Sequence, residues 1–341
     1  MASQPFVTQS EIKTYRACRR KWTLQYQENL VPKTAEPGAL FFGNVVHDGL
    51  RLHYTGRTQE EINAAIDKTF ADAMPNMPNY EEAEAAADRQ LAKNMIRGYK
   101  EAFAVEDRAY ASIQPEVEFM VPLGPGLPMF AGKVDGIARD QDGDYWLKEH
   151  KTAAAVGEDY FRMLQVDMQY PAYLWAAEIH LGINIKGVIY NVLRKAEPKE
   201  PDLLKGNKGL SRAESKMGTW TERSYLNAIH ANGLDPAEYT DMLALLREQD
   251  AAGNRWFYRR FIFNDRNRNT MVMNEVRETA KEMTNNPVIF GNPNTMTCRG
   301  CPFFSLCAVW HERGTLKDTI DLMYERKEEA HQELSSPAWL F

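Results

Sequence analysis

The chain has 341 residues, a formal net charge of -6 and 44% hydrophobic, 11% aromatic and 26% charged residues. This is ordinary globular usage and excludes a disordered, collagen-like or low-complexity protein. The acidic balance excludes a protein that coats nucleic acid through overall positive charge, though not local basic grooves. No apolar run approaches the roughly 18 residues of a membrane span, and the start MASQPFVTQSEIK has neither the basic nor the apolar part of a signal peptide; a soluble, cytoplasmic protein is expected.

No internal repeat or low-complexity block divides the chain, so a single body over 1–341 is expected. Ser10 is placed to cap a helix carrying Ile12, Tyr15, Cys18, Trp22 and Tyr26 at three- and four-residue steps, which predicts one stripe with Cys18 facing inward. A second helix is predicted around GNVVHDGLRLHY, and 55–110 reads as a helical insertion. The texture then changes to EVEFMVPL, MFAGKVDGIARD and DYWLKEHKTA, β-rich segments with turns between them. A helix with Tyr173, Leu174 and Trp175 follows, then the apolar strand GVIYNVL. That order predicts an α/β core over 113–195.

Residues 196–225 read as a polar insertion or mobile loop in which basic residues outnumber acidic ones. In RWFYRRFIFNDRNR, Arg255, Arg259, Arg260, Arg266 and Arg268 are interleaved with Trp256, Phe257, Tyr258, Phe261 and Phe263. Such a face would hold phosphates and stack bases; an edge strand with arginines outward and aromatics in the core is the competing reading.

In DYWLKEHKTA, alternation puts Tyr145, Leu147, Glu149 and Lys151 on one face and Trp146, Lys148 and His150 on the other. If Gln141, Asp142 and Gly143 form a three-residue loop with Gly143 left-handed, Asp140 pairs with Asp144 and Asp135 pairs with Glu149. A two-residue loop would instead pair Asp135 with His150 and send Glu149 to the far face. Two adjacent carboxylates need a compensating cation, and oxygen ligands of this kind suit Mg²⁺ or Mn²⁺. Asp135 and Glu149 as ligands, with Lys151 beside them, would suit phosphodiester hydrolysis. Glu116 and Glu118 share a strand face, and either is a candidate further ligand.

Cys18, Cys298, Cys301 and Cys307 are too few for a disulfide scaffold. The last three form C-x2-C-x5-C, and four thiolates suit either tetrahedral zinc or a 4Fe–4S cluster. Joining such distant segments would stabilise the fold by roughly 5 kcal/mol in a loop-closure estimate. GNKGLS lacks the ending of a Walker A loop, so no ATP-driven motor is expected.

The spacing Asp135…Glu149-His150-Lys151 followed by Gln169-Tyr-Pro-Ala-Tyr173 resembles the PD-(D/E)XK nuclease superfamily, specifically its RecB-like exonucleases. More exactly placed, Gln169 and Tyr173 match that group's Gln-x-x-x-Tyr pair one helical turn apart, with Gln165 as the alternative glutamine, and His47 in GNVVHDGL matches its helical histidine. The resemblance implies a restriction-endonuclease-like core, a mixed central sheet flanked by helices. It also implies His47 at the metal site with Asp135 and Glu149, Lys151 as the catalytic lysine, and Gln169 and Tyr173 touching substrate.

One cysteine triplet plus a distant fourth is the pattern of the iron–sulfur members of this group, and the stretch from Ser10 to Tyr26 is similar to theirs. The resemblance therefore implies a 4Fe–4S staple joining 8–30 to 295–312; Arg16, Arg19, Arg20 and Lys21 sit beside Cys18, so such a staple would fix a basic helix against DNA, with exposed helix charge as the competing reading. The stand-alone CRISPR-associated and phage-encoded exonucleases are the most similar kind. A DNA exonuclease acting on single strands or ends follows as the expectation, in the host cytoplasm if phage-encoded. A non-catalytic iron–sulfur DNA-binding subunit is the alternative. A second copy of the chain, or proteins of recombination or CRISPR adaptation, are the protein partners considered; no membrane is.

Overall fold

The computed structural model describes residues 6–34, 38–206, 209–253, 255–328, 331 and 334. Strand β1 (Phe6–Thr8) leads into α1 (Gln9–Ala17), and Thr8 rather than Ser10 is its cap, accepting from the Glu11 N–H at 3.2 Å. The helix expected to continue to Tyr26 breaks at Cys18, whose backbone is extended, before α2 (Arg19–Trp22) and a π turn over Thr23–Gln27. Ile12, Tyr15, Trp22 and Tyr26 remain in the core. Cys18 leaves their stripe and is half-buried, a correction to the inward-facing expectation: the break re-aims its side chain.

After β2 (Leu30–Pro32), helices α3 (Ala39–Tyr54), α4 (Gln59–Ala73) and α5 (Glu82–Asp107) form a layer with its own core. A capping box between Thr58 and Glu61 starts α4. Ile62, Ile66 and Phe70, spaced at four residues, share that core with Met95, Ile96 and Tyr99 of α5.

Strands β3 (Tyr110–Pro122), β4 (Met129–Asp140) and β5 (Tyr145–Ala153) are antiparallel neighbours. Helices α6 (Glu158–Met163) and α7 (Gln169–Leu181) then lead to β6 (Ile185–Arg194), which pairs parallel with β5. The six-stranded sheet runs β1-β4-β5-β6-β7, with β3 on β4 and β7 (Phe257–Phe263) antiparallel to β6. Gly187 on β6 admits this crowding: a Cβ there would lie 2.2 Å from the Ile262 carbonyl oxygen.

Between β6 and β7, α8 (Glu214–Met217), α9 (Glu222–Ala231) and α10 (Thr240–Ala251) surround a small core. The stretch 196–225 is therefore not a mobile loop throughout: Leu210, Trp220 and Tyr225 are buried there, and apolar residues beyond 225 complete their packing.

Helix α11 (Arg266–Thr284) packs with α1 and α7 on one sheet face. The chain ends in α12 (Thr295–Cys298), α13 (Phe304–Ala308), α14 (Arg313–Met323) and β8 (Tyr324–Arg326), which pairs with β2. The C-terminal segment thus returns to the N-terminal one. Among the described residues no helix is long and apolar enough to cross a membrane.

Candidate active site

The β4–β5 turn has three residues: the Asp140 N–H donates to the Asp144 carbonyl at 2.9 Å, and Gly143 sits at φ 91°, the left-handed region that glycine enters without steric penalty. The paired register runs from Arg139/Tyr145 to Gly136/Lys148. One further step sets Asp135 opposite Glu149. There the strands part: β5 continues along β6, while the start of β4 pairs with β1. At this fork the freed His150 N–H donates to Asp135 Oδ2 at 2.7 Å.

The remaining groups arrive from the two helical layers. His47 of α3 lies with Nδ1 3.1 Å from Asp135 Oδ1. On the face toward α7, Lys151 forms an ion pair with Glu149, and Gln169 bridges them, donating through Nε2 to Glu149 Oε1 at 3.0 Å and accepting from Lys151 Nζ at 3.3 Å. Gln165 is exposed and makes none of these contacts, so Gln169 is the glutamine at the site. Tyr173, one turn along α7, is buried against Phe119 with ring centroids 5.3 Å apart.

Burial pushes the Glu149 carboxyl up to about 7, with Lys151 opposing and Asp135 adding to the shift. Burial acts upward on Asp135 too, but the His47 ring and its hydrogen bond prevail and hold it well below the usual carboxylate range. Lys151 is raised above its ordinary value: burial acts downward, and the Glu149 and Asp135 carboxylates outweigh it. His47 is likewise raised, Asp135 outweighing the effect of burial. The site therefore contains a carboxylate, a carboxyl poised near neutrality and a firmly held ammonium.

Sequence reasoning missed three supports. Asp167 caps the start of α7, accepting from the Gln169 N–H at 2.9 Å and the Tyr170 N–H at 3.2 Å. Its position two residues before the first helical residue is a readable capping signal. Arg268 donates to the Leu164 and Asp167 carbonyls, both at 2.8 Å, and so holds the α6–α7 connection. Tyr190 stands beside Glu149 in the parallel register, a proximity only the sheet order reveals.

Other candidates have different partners. Glu116, at φ 48° within β3, is held by Lys133 at 3.0 Å and Arg51 at 3.4 Å. Of the predicted basic helix, Arg16 pairs with Glu275, Arg19 with Glu282, and Arg20 donates to Cys307 Sγ at 3.0 Å. These arginines tie α1 and α2 to the later chain, so their charge is not simply displayed to solvent.

Cys18, Cys298, Cys301 and Cys307 all line one cavity of about 740 Å³. Burial raises the Cys301 thiol, and neighbouring Cys18 and Cys298 act in the same direction. Four thiols on one cavity fit zinc or an iron–sulfur cluster by donor type. Among the described residues, however, no three His, Cys, Asp or Glu side chains are drawn together closely enough to grip an ion, either here or at the fork.

The model of the PD-(D/E)XK nuclease superfamily matches residues 7–308. A solved structure described as the crystal structure of SSO0001 aligns over 77% of this chain and 82% of its own, at 14% identity and a TM-score of 0.31. No curated protein matches.

Proposed function

The chain belongs to the PD-(D/E)XK nuclease superfamily, and on that premise we propose that it is a DNA exonuclease acting on single strands or ends. Members of this superfamily are nucleases that typically use Mg²⁺ or Mn²⁺. The observation that carries the reading is the continuous set His47, Asp135, Glu149, Lys151 and Gln169 at the β4–β5 fork. By donor type the Asp135 and Glu149 carboxylates and the His47 ring suit a divalent ion and would have to draw closer to hold it; bound there, it would supply positive charge against the phosphodiester and lower the pKa of water. His47 and the His150 N–H fix the Asp135 carboxylate. Lys151 neutralises charge at the scissile phosphate, and Gln169 keeps it aligned with Glu149.

The biological setting proposed is viral recombination or replication, or CRISPR spacer processing. Incubating the protein with Mn²⁺ and DNA labelled separately at each terminus tests the activity. Progressive loss of nucleotides from one end is expected. Internal cuts would replace the exonuclease reading with an endonuclease, and binding without hydrolysis would favour the non-catalytic subunit.

The four cysteines are proposed to hold a 4Fe–4S cluster that staples the chain ends. Protein purified without oxygen should be brown, with broad absorbance near ~400 nm characteristic of thiolate-bound clusters. Cys298→Ser should remove the colour and lower stability by up to roughly 5 kcal/mol in the loop-closure estimate. Colourless protein containing one equivalent of zinc would overturn the cluster in favour of a zinc staple.

A further inference from the structure

The arginine-rich strand β7 and its flanks separate into cations with internal partners and one without. Arg255 bonds to Asp250 and the Trp220 carbonyl, both at 2.6 Å. Arg259 lies inside the sheet layer, donating to Asn191 at 2.7 Å and pairing with Asp107 at 2.8 Å. Arg266 reaches Asn184 at 2.9 Å, and Arg268 holds two carbonyls. Arg260 alone among these five has no polar partner among the described residues; its guanidinium stands 4.8 Å from the centre of the Phe161 ring, and the residue is exposed.

Its position is set by the sheet. Glu149 pairs with Tyr190, and Tyr190 pairs with Arg260. Glu149, Tyr190 and Arg260 therefore form one cross-strand row. Tyr258 and Ile262, two residues to either side of Arg260, pack against the α7-side core, so this is the face that presents Glu149 and Lys151. Two strand spacings put Arg260 about 10 Å from Glu149. Neighbouring phosphates on one strand lie farther apart than the axial rise of a duplex, so that span reaches the first or second phosphate beyond the scissile one. Phe161, on α6, holds the guanidinium by its face and leaves its N–H edge open, the arrangement suited to a phosphate.

We propose that Arg260 binds a backbone phosphate of the DNA strand one or two nucleotides from the bond being cleaved, with Phe161 as its platform. The assignment rests on the nuclease reading for its ligand, and it defines how far along the strand the site reaches. Arg260 is a substrate-binding residue and takes no part in the chemical step.

The test measures binding of single-stranded oligonucleotides of two and twelve nucleotides in EDTA over a salt series, and hydrolysis of both with Mn²⁺. Arg260→Ala should weaken the twelve-mer about tenfold at low salt and reduce the slope of log affinity against log salt by about 0.7, the value for one single-strand phosphate contact. The dinucleotide should bind as to the wild type, and kcat should be retained while KM for the twelve-mer rises. Arg260→Lys should keep the salt slope; because it retains the charge, it separates a lost phosphate contact from a folding defect.

An unchanged slope and affinity in Arg260→Ala would overturn the assignment, even with a wild type that digests DNA. An Arg260-dependent slope in a wild type that never hydrolyses DNA would sustain the assignment and refute the exonuclease. A wild type that binds no DNA would refute both.

Discussion

Lys151→Ala and Asp135→Asn are each expected to lower Mn²⁺-dependent DNA hydrolysis by about a thousandfold, the scale on which removing one preorganised charge-stabilising group acts. Both changes should leave the fold intact, because Lys151 is 31% and Asp135 22% exposed and neither fills the core. The lysine variant has a second signature. Lys151 opposes the burial that raises Glu149 to about 7, so its removal raises Glu149 further. A carboxyl must lose its proton before it holds a cation. In the wild type, Mn²⁺ affinity should fall about tenfold per pH unit below about 7 and level off above it, as for release of one proton. In Lys151→Ala the same curve should move to higher pH. Calorimetric titration of Mn²⁺ across pH 5.5–9 reads the shift, and gel assays read hydrolysis. Full activity in either variant, or an affinity independent of pH, would remove these residues from the roles proposed.

The hairpin was legible because its determinants are local. Gln141-Asp142-Gly143 places a glycine where the three-residue loop needs a left-handed residue, and period-two alternation then carries the register to Asp135 and Glu149. The competing two-residue loop would have sent Glu149 to the other face. The Gln169 contact was legible as a motif position, but its choice over Gln165 depends on where α7 starts, which Asp167 fixes.

Long-range packing was harder to read. A stripe at helical spacing gives no sign of the break at Cys18, which directs that thiol toward cysteines nearly the whole chain away. In β7 one of the two readings, arginines outward and aromatics inward, is reversed at Arg259, whose side chain is buried, and at Phe261 and Phe263, which are exposed. The cause is a carboxylate supplied by α5: Asp107 gives Arg259 a partner inside, whereas Phe261 and Phe263 lie against the Trp146 ring.

The same carboxylate governs stability. Asp107→Ala should destabilise the protein by about 3–5 kcal/mol, the usual result of removing one partner from a buried ionic group. Asp107 accepts from the Tyr54 hydroxyl at 2.7 Å and pairs with Arg259 at 2.8 Å and Lys148 at 3.3 Å, while Lys148 is fully buried on the sheet face opposite Glu149. Burial pulls Lys148 down to about 8, and Asp107 is the chief group raising it. Because the folded value lies below that of the unfolded chain, the unfolded state binds more protons in the interval between them, and stability rises with pH across it. Without Asp107 the folded value drops further and the interval widens toward neutrality. The deficit of Asp107→Ala should therefore be larger at pH 6 than at pH 9, and adding Lys148→Met should recover part of it by removing the stranded ammonium. Urea unfolding of the wild type and both variants at the two pH values measures each term. A deficit below about 1 kcal/mol, within the range of an exposed ion pair, would show that Lys148 and Arg259 do not depend on Asp107.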